Sequence, residues 1–363
     1  MNFKKGTLEE LESKGSVISS KHALVGFDGF VDKIMTVVDK RLGPGENFKP
    51  IEKIDALGAR ITEAAGKSTN IEVYPKTEKI GGNGPIMANA LLATGMHVKY
   101  LGALGKPSIH PVFEDFAKKA EGVSVSEPGV TLALEFSDGK IMLNDTSGIE
   151  NITYSNIVNE IGEGALYDAL SRADLISLLN WTMIPNMTAI FVALLEKVLP
   201  NLPPRDGRQF FFDLSDPQKR SDGDLKVVLA TITKFCSHGN VCLGLNQKEA
   251  KNLQNIKDEL QKRGYNTPIV ADIHFTPNAA EIAARIVEKV RINPGNYADK
   301  KKFEELEYTD ESYIAELERI KEKFTPLVRI CKEYGTAMRI GTNHGSLKEN
   351  MEKIHGVKGR NRG

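Results

Sequence analysis

Cysteine is scarce in this chain, with Cys236, Cys242 and Cys331 the three among 363 residues. An odd count without CxxC spacing argues against a disulfide framework and a zinc ribbon, and fits buried thiols in a reducing compartment. Net charge is missing too, since 48 Lys and Arg are balanced by 48 Asp and Glu. No global field draws the chain to nucleic acid or to a membrane surface. The start, MNFKKGTLEELESKG, lacks the apolar run of a signal peptide, and no stretch approaches the ~18 apolar residues of a membrane span. A cytoplasmic protein with neither nucleic-acid nor membrane partners is expected. At 40% hydrophobic and 26% charged residues, the chain has the composition of a globular protein with room for a proper core, in one large domain or two.

The most organised stretch runs from Lys79 to Gly105, KIGGNGPIMANALLATGMHVKYLGALG. Gly81, Gly82 and Gly84 keep the backbone free of Cβ atoms where Pro85 is expected to open a helix, so a ligand could approach the turn closely. A plain tight turn is the alternative. Ile86, Ala90, Leu91 and Thr94 recur at helical spacing, Gly95 stops the helix, and His97 to Leu101 reads as a strand. Asn83 is left at the mouth of the turn as donor and acceptor.

Upstream, His22 to Phe27 reads as a buried strand ending in Asp28-Gly29-Phe30-Val31-Asp32. Asp28 and Asp32 at a strand's carboxyl end could hydrogen-bond substrate hydroxyls, or one could cap the next element. Leu57 to Ala65 is expected to form an amphipathic helix. Two β-prone runs around Asp138-Gly139 predict a hairpin over 129–144. Asp174 to Leu179, Gln209 to Leu214 and Val241 to Leu245 read as strands, with helices over 185–199 and after Arg220. Strands alternating with helices at this spacing predict parallel βαβ units.

The double Gly, the Asn and the small-residue helix ending in a Gly-bounded strand resemble the sugar-binding signature of the ribokinase-like (phosphofructokinase-B type) carbohydrate kinases, over about residues 20–249. The resemblance implies a doubly wound, mainly parallel α/β sheet with a small β lid, the hairpin supplying lid strands. It implies ATP and Mg2+ as co-substrate and metal, and a sugar or nucleoside acceptor held by Asp28, Asp32, Gly81, Gly82 and Asn83. The runs Asp216-Pro217-Gln218-Lys219-Arg220 and Asn246-Gln247-Lys248-Glu249 resemble further landmarks of that family. The second places Asn246 and Glu249 at magnesium and phosphate. A Gly-Ala-Gly-Asp turn, whose amides hold the transferring phosphoryl group and whose Asp is the base, is not found after Glu249. Ser221-Asp222-Gly223-Asp224 is the nearest lookalike, in the wrong place. Phosphoryl transfer rests on positioning and charge stabilisation, so impaired or absent kinase activity is expected, with a non-catalytic sugar- or phosphate-binding protein or a chimera as an alternative.

From about Glu249 to Leu347 the chain resembles the barrel domain of hydroxymethylbutenyl diphosphate synthase, of the non-mevalonate isoprenoid pathway. The motifs are Val270-Ala271-Asp272-Ile273-His274-Phe275, Arg291-Ile292-Asn293-Pro294-Gly295-Asn296 and Arg339-Ile340-Gly341-Thr342-Asn343. From the residues themselves, three βα units of TIM-barrel type are expected, with strands over 269–273, 289–292 and 336–340 and helices over 276–288 and 310–334. Each strand ends in polar groups, and two arginines suit a diphosphate through bidentate hydrogen bonds. The resemblance implies that Asp272, His274, Arg291, Asn293, Arg339 and Asn343 bind a diphosphate, and makes an isoprenoid-pathway protein the other alternative. Arg291 and Arg339 could instead pair with helix carboxylates. The three cysteines match no cluster-binding pattern, so an iron–sulfur cluster is not expected. The domain expectation is 1–248, 249–347 and a charged tail, 348–363.

Overall fold

The structure, a computed structural model, describes residues 17–246, 253–262, 264, 268–273, 277–293, 297 and 310–341. The chain divides into two compact units, Met1–Val241 and Cys242–Gly363.

The first unit is built on five parallel strands in the order β10 (Gln209–Asp213), β9 (Leu175–Leu178), β1 (His22–Phe27), β5 (His97–Gly102), β6 (Val123–Ser124). β1 lies in the middle because HALVGF is apolar on both faces, and every residue after His22 is buried. Ala23, Val25, Val98, Tyr100, Leu104 and Phe116 form one core, closed by Ala88 of helix Asn83–Ala93. Elsewhere in the unit Phe191, Phe210, Phe212 and Phe235 meet edge to face, with ring centroids 5.0 to 6.1 Å apart.

Only Asp28 and Gly29 separate β1 from β2 (Phe30–Arg41), the spine of a second sheet. A Cβ at position 29 would sit 2.0 Å from the carbonyl oxygen of Ala103, so this close turn needs glycine. β2 pairs antiparallel with β3 (Phe48–Pro50) and β4 (Val73–Gly81), and parallel with β7 (Gly129–Phe136). The hairpin partner of β7 is β8 (Gly139–Asp145). Met35, Val37, Ile51, Leu134 and Phe136 give this sheet its own small core, under Leu57 of helix Ile54–Glu63.

β11 (Asn240–Asn246), β12 (Ile269–Ile273), β13 (Lys289–Ile292) and β14 (Ala337–Ile340) form parallel pairs in chain order. Helices Leu253–Lys262, Pro277–Ala284 and Asp310–Tyr334 connect them. Ala280, Ala283 and Ala284 are fully buried, small enough to bring their helix close to its neighbours.

Several boundaries differ from expectation. Helix Asn83–Ala93 starts two residues before Pro85, because the amides of Asn83 and Gly84 already have an acceptor in Asp28. The helix expected over 57–65 runs Ile54–Glu63, and the one expected over 185–199 is Met187–Ala193 followed by a π turn, Leu194–Val198. The helix expected to reach residue 288 ends at Ala284. The second sheet is larger than one hairpin, since β2 and β4 carry mixed polar and apolar residues that hide their period. Asp32 accordingly belongs to β2, not to the turn after β1. No helix among the described residues is long and apolar enough to cross a membrane.

Phe235 is fully buried against three other rings. Its replacement by Ala is expected to cost about 3–5 kcal/mol of unfolding free energy. Urea unfolding followed by fluorescence of Trp181, the single and fully buried tryptophan, measures it.

Candidate functional site

The carboxyl ends of β1, β9 and β10 converge on the start of helix Asn83–Ala93. Asp28 is wholly buried there. Its Oδ1 accepts from the amide of Gly84 at 2.8 Å, and its Oδ2 accepts from the amide of Asn83 at 2.8 Å and from Asn180 Nδ2 at 2.7 Å. The Tyr100 hydroxyl donates to the Asp28 carbonyl at 2.5 Å. Two of the helix's orphan amides are thus satisfied by a carboxylate delivered from β1, which also suits the positive end of the helix dipole. Burial pushes the Asp28 carboxyl up to about 6, against the three donors that favour its charge, and the nearby Asp213 adds to the rise. Burial likewise raises the Tyr100 hydroxyl well above its ordinary value.

The glycines make room for these groups. A Cβ at Gly84 would lie 2.4 Å from the Tyr100 hydroxyl and 2.5 Å from Asp28 Oδ1, and one at Gly81 would lie 2.4 Å from Asp32 Oδ1. Gly82, with φ of 96°, is the N-cap, and a Cβ there would lie 3.0 Å from Asp28 Oδ2. The close approach anticipated for a ligand is therefore made by the protein's own carboxylates. Asp28, expected at the substrate, is the buried cap of the helix. Asp32 is half-buried on β2, opposite Lys79 and Thr131. Burial raises its carboxyl, while the Thr131 hydroxyl and the charge of Lys140 oppose the rise.

Asn83 is exposed as expected, but its side chain is engaged. Its Nδ2 donates to Asp213 Oδ2 at 2.6 Å and to Ser215 Oγ at 2.9 Å. Ser215 Oγ reaches Asn180 Oδ1 at 3.0 Å, and the Ser215 amide donates to Asp213 Oδ1 at 2.9 Å. Asn180, Asp213, Ser215 and Tyr100 were not singled out from the sequence. Asn180 and Ser215 take left-handed backbone angles, φ of 62° and 60°, which no local motif announces.

The Asp-Pro-x-x-Arg run has a structural part. Arg220 stacks on Trp181 at 4.3 Å and donates to the carbonyls of Trp181, Thr182 and Ile184 at 2.7, 3.2 and 2.5 Å. Ser221, in the lookalike of the missing turn, is an ordinary helix cap that accepts from the Asp224 amide at 3.1 Å.

In the second unit, Asn246, Asp272, Arg291 and Arg339 occupy one register row across β11 to β14. Arg291 Nη1 donates to Asp272 Oδ1 at 2.9 Å, a carboxylate on the neighbouring strand. Arg339 is exposed, and Asn293 is buried with its carbonyl accepting from the Tyr297 amide at 2.8 Å. Glu249, His274 and Asn343 lie outside the described residues, as does the side chain of Asn246. Among the described residues no group of three or more His, Cys, Asp or Glu is placed to hold a metal ion.

A model of the prokaryotic ketohexokinase family matches residues 10–275. The chain belongs to that family. Within the prokaryotic ketohexokinase match, the residues after 222 also match the GcpE TIM-barrel domain, which extends over 223–361. Over that part the chain is 59% identical across 111 residues to the 4-hydroxy-3-methylbut-2-en-1-yl diphosphate synthase (flavodoxin) of Parabacteroides distasonis, covering 30% of this chain and 18% of the relative. It is 61% identical across 102 residues to the synthase of the same name from Akkermansia muciniphila, covering 28% and 17%. The chain thus spans less than a fifth of these relatives. Among solved structures, a ribokinase from Thermotoga maritima is similar at 14% identity and TM-score 0.40, over 70% of this chain and 71% of that one. A carbohydrate kinase from Agrobacterium tumefaciens is similar at 17% and 0.43, over 69% and 70%.

Because the Asp28 carboxyl stands near 6 when folded and about 3.8 when free, its contribution to stability is complete below about pH 4 and is lost as the pH rises through 6. The expected loss over that window is about 3 kcal/mol. Carbon-13 NMR of the Asp28 carboxyl carbon should titrate with a midpoint about 6. A midpoint in the ordinary carboxylate range would contradict its burial.

Proposed function

We propose that residues 17–241 form the acceptor-binding part of a cytoplasmic carbohydrate kinase, and that the acceptor is a ketohexose held by Asp32 and Asn83. The observation that carries this is the burial of Asp28 among protein donors. With both carboxylate oxygens bonded to protein donors and no exposed surface, it is closed to a ligand, which leaves half-buried Asp32 and exposed Asn83 on either side of the Gly81-Gly82 turn. A carboxylate and a carboxamide suit a polyol, since each accepts from hydroxyl donors. The family name points to a ketohexose. Phosphoryl transfer from ATP is impaired in this proposal, because the amide-lined anion hole and its Asp base have no counterpart after Glu249.

The test pairs calorimetric binding with ADP release by the purified chain, in ATP and magnesium, across ketohexoses, aldoses and nucleosides. Expected are ketohexose binding, weakened about tenfold or more in Asn83→Ala, and ADP release at background. Ketohexose-dependent ADP release would place a base elsewhere in the chain, and no binding to the folded protein would end the sugar proposal.

A second proposal attaches to residues 242–341. The register row of Asp272, Arg291 and Arg339 sets two guanidinium groups on neighbouring strands, which suits a diphosphate. Arg339→Ala should weaken pyrophosphate binding about tenfold while leaving Tm within a few degrees, since Arg339 is exposed. Equal binding by the variant would remove this proposal.

A further inference from the structure

We infer that Asp213 is a positioning residue that turns the Asn83 carboxamide so that only its carbonyl oxygen faces a ligand, making this a site for a hydroxyl donor. An ionised carboxylate can only accept hydrogen bonds, so the group 2.6 Å from Asp213 Oδ2 must be the NH2 of Asn83 and not its oxygen. The other NH2 proton goes to Ser215 Oγ at 2.9 Å. Ser215 can receive it because its single hydroxyl proton is directed to Asn180 Oδ1 at 3.0 Å, closer than Asp213 Oδ2 at 3.4 Å. Asn180 is itself oriented, since its Nδ2 donates to the buried Asp28 carboxylate at 2.7 Å. The donors therefore run in one direction, from Asn83 through Ser215 and Asn180 to Asp28, with Asp213 as the second acceptor at the head. Carboxylates at both ends leave no consistent reversed arrangement.

Both Asn83 amide protons are consumed inside the protein, and no donor among the described residues is recorded at its Oδ1. A ligand group meeting Asn83 must then bring the proton. A hydroxyl qualifies, whereas an ether, a fluorine or a carboxylate places acceptor against acceptor. The ligand class rests on the sugar proposal above, while the orientation of Asn83 does not. Asp213→Asn is the discriminating change. Asp213 Oδ1 serves the Ser215 amide and Oδ2 serves Asn83, and an asparagine can accept at only one of these places.

Binding of D-fructose and of D-fructose fluorinated at each hydroxyl in turn would be compared in the full chain and in Asp213→Asn. The full chain should bind one fluorinated analogue about tenfold more weakly than D-fructose, and Asp213→Asn should narrow that ratio to about twofold. An unchanged ratio in a folded Asp213→Asn protein would overturn the assignment, since a merely structural role would lower both affinities together. Without ligand, hydrogen exchange of the Asn83 side-chain amide, assigned by its loss in Asn83→Ala, should be slowed at least about tenfold and return to the free rate in Asp213→Asn. Exchange at the free rate in the unaltered chain would overturn the orientation outright. Failure to bind D-fructose together with slowed exchange would remove the sugar proposal and uphold the orientation. If Asp213→Asn does not fold, Ser215→Ala removes the other partner and should speed the same exchange.

Discussion

The first unit depends on one buried carboxylate. Asp28 leaves the end of β1 and meets the first two amides of helix Asn83–Ala93 and the side chain of Asn180 after β9. Three separate segments are therefore referenced to two oxygen atoms. A buried charge of this kind is tolerated because both carboxylate oxygens have donors, three in all, and burial still pushes the carboxyl up to about 6. Gly81, Gly82 and Gly84 follow from the same constraint, since side chains there would strike Asp28, Asp32 or Tyr100.

What reaches a ligand is decided one layer further out. Asn83 is positioned twice, by its backbone on Asp28 and by its side chain on Asp213 and Ser215. Local strain contributes, for Asn180 and Ser215 take left-handed angles at the ends of β9 and β10, where their side chains turn back to join the network. Rigid support of this sort keeps an exposed carboxamide from sampling both of its orientations, which matters when donor and acceptor have opposite effects on binding.

The second unit follows a different logic. Successive parallel strands place Asp272, Arg291 and Arg339 side by side, and the Asp272–Arg291 pair neutralises one arginine within the row. Arg291 also lies where a Cβ on Gly341 would meet it at 2.1 Å, so that glycine accommodates the guanidinium. The matches to prokaryotic ketohexokinase and to the GcpE barrel domain share residues 223–275. That shared stretch is where one run of alternating strands and helices can be read in either frame of reference, because both architectures use the same parallel βα unit.

Period and composition alone determined the alternation of strands and helices. The apolar run of β1, the Asp-Gly hairpin and the strand and helix pair Lys289–Ile292 and Asp310–Tyr334 were legible to the residue or nearly so. Local chemistry also marked the Gly81-Gly82-Asn83 turn and the aspartates near it. β2 and β4 were not legible, since each mixes polar and apolar residues and takes its form from strands far away in the chain. Nor could sequence tell Asp28 from Asp32, two carboxylates four residues apart. Only the tertiary structure brought Asn180 and Asp213 to them from more than 140 residues away, and which carboxylate is sealed depends on donors contributed at that distance. Patterns within one element are local and readable, whereas the direction of a hydrogen-bond chain through four elements exists only once they have met.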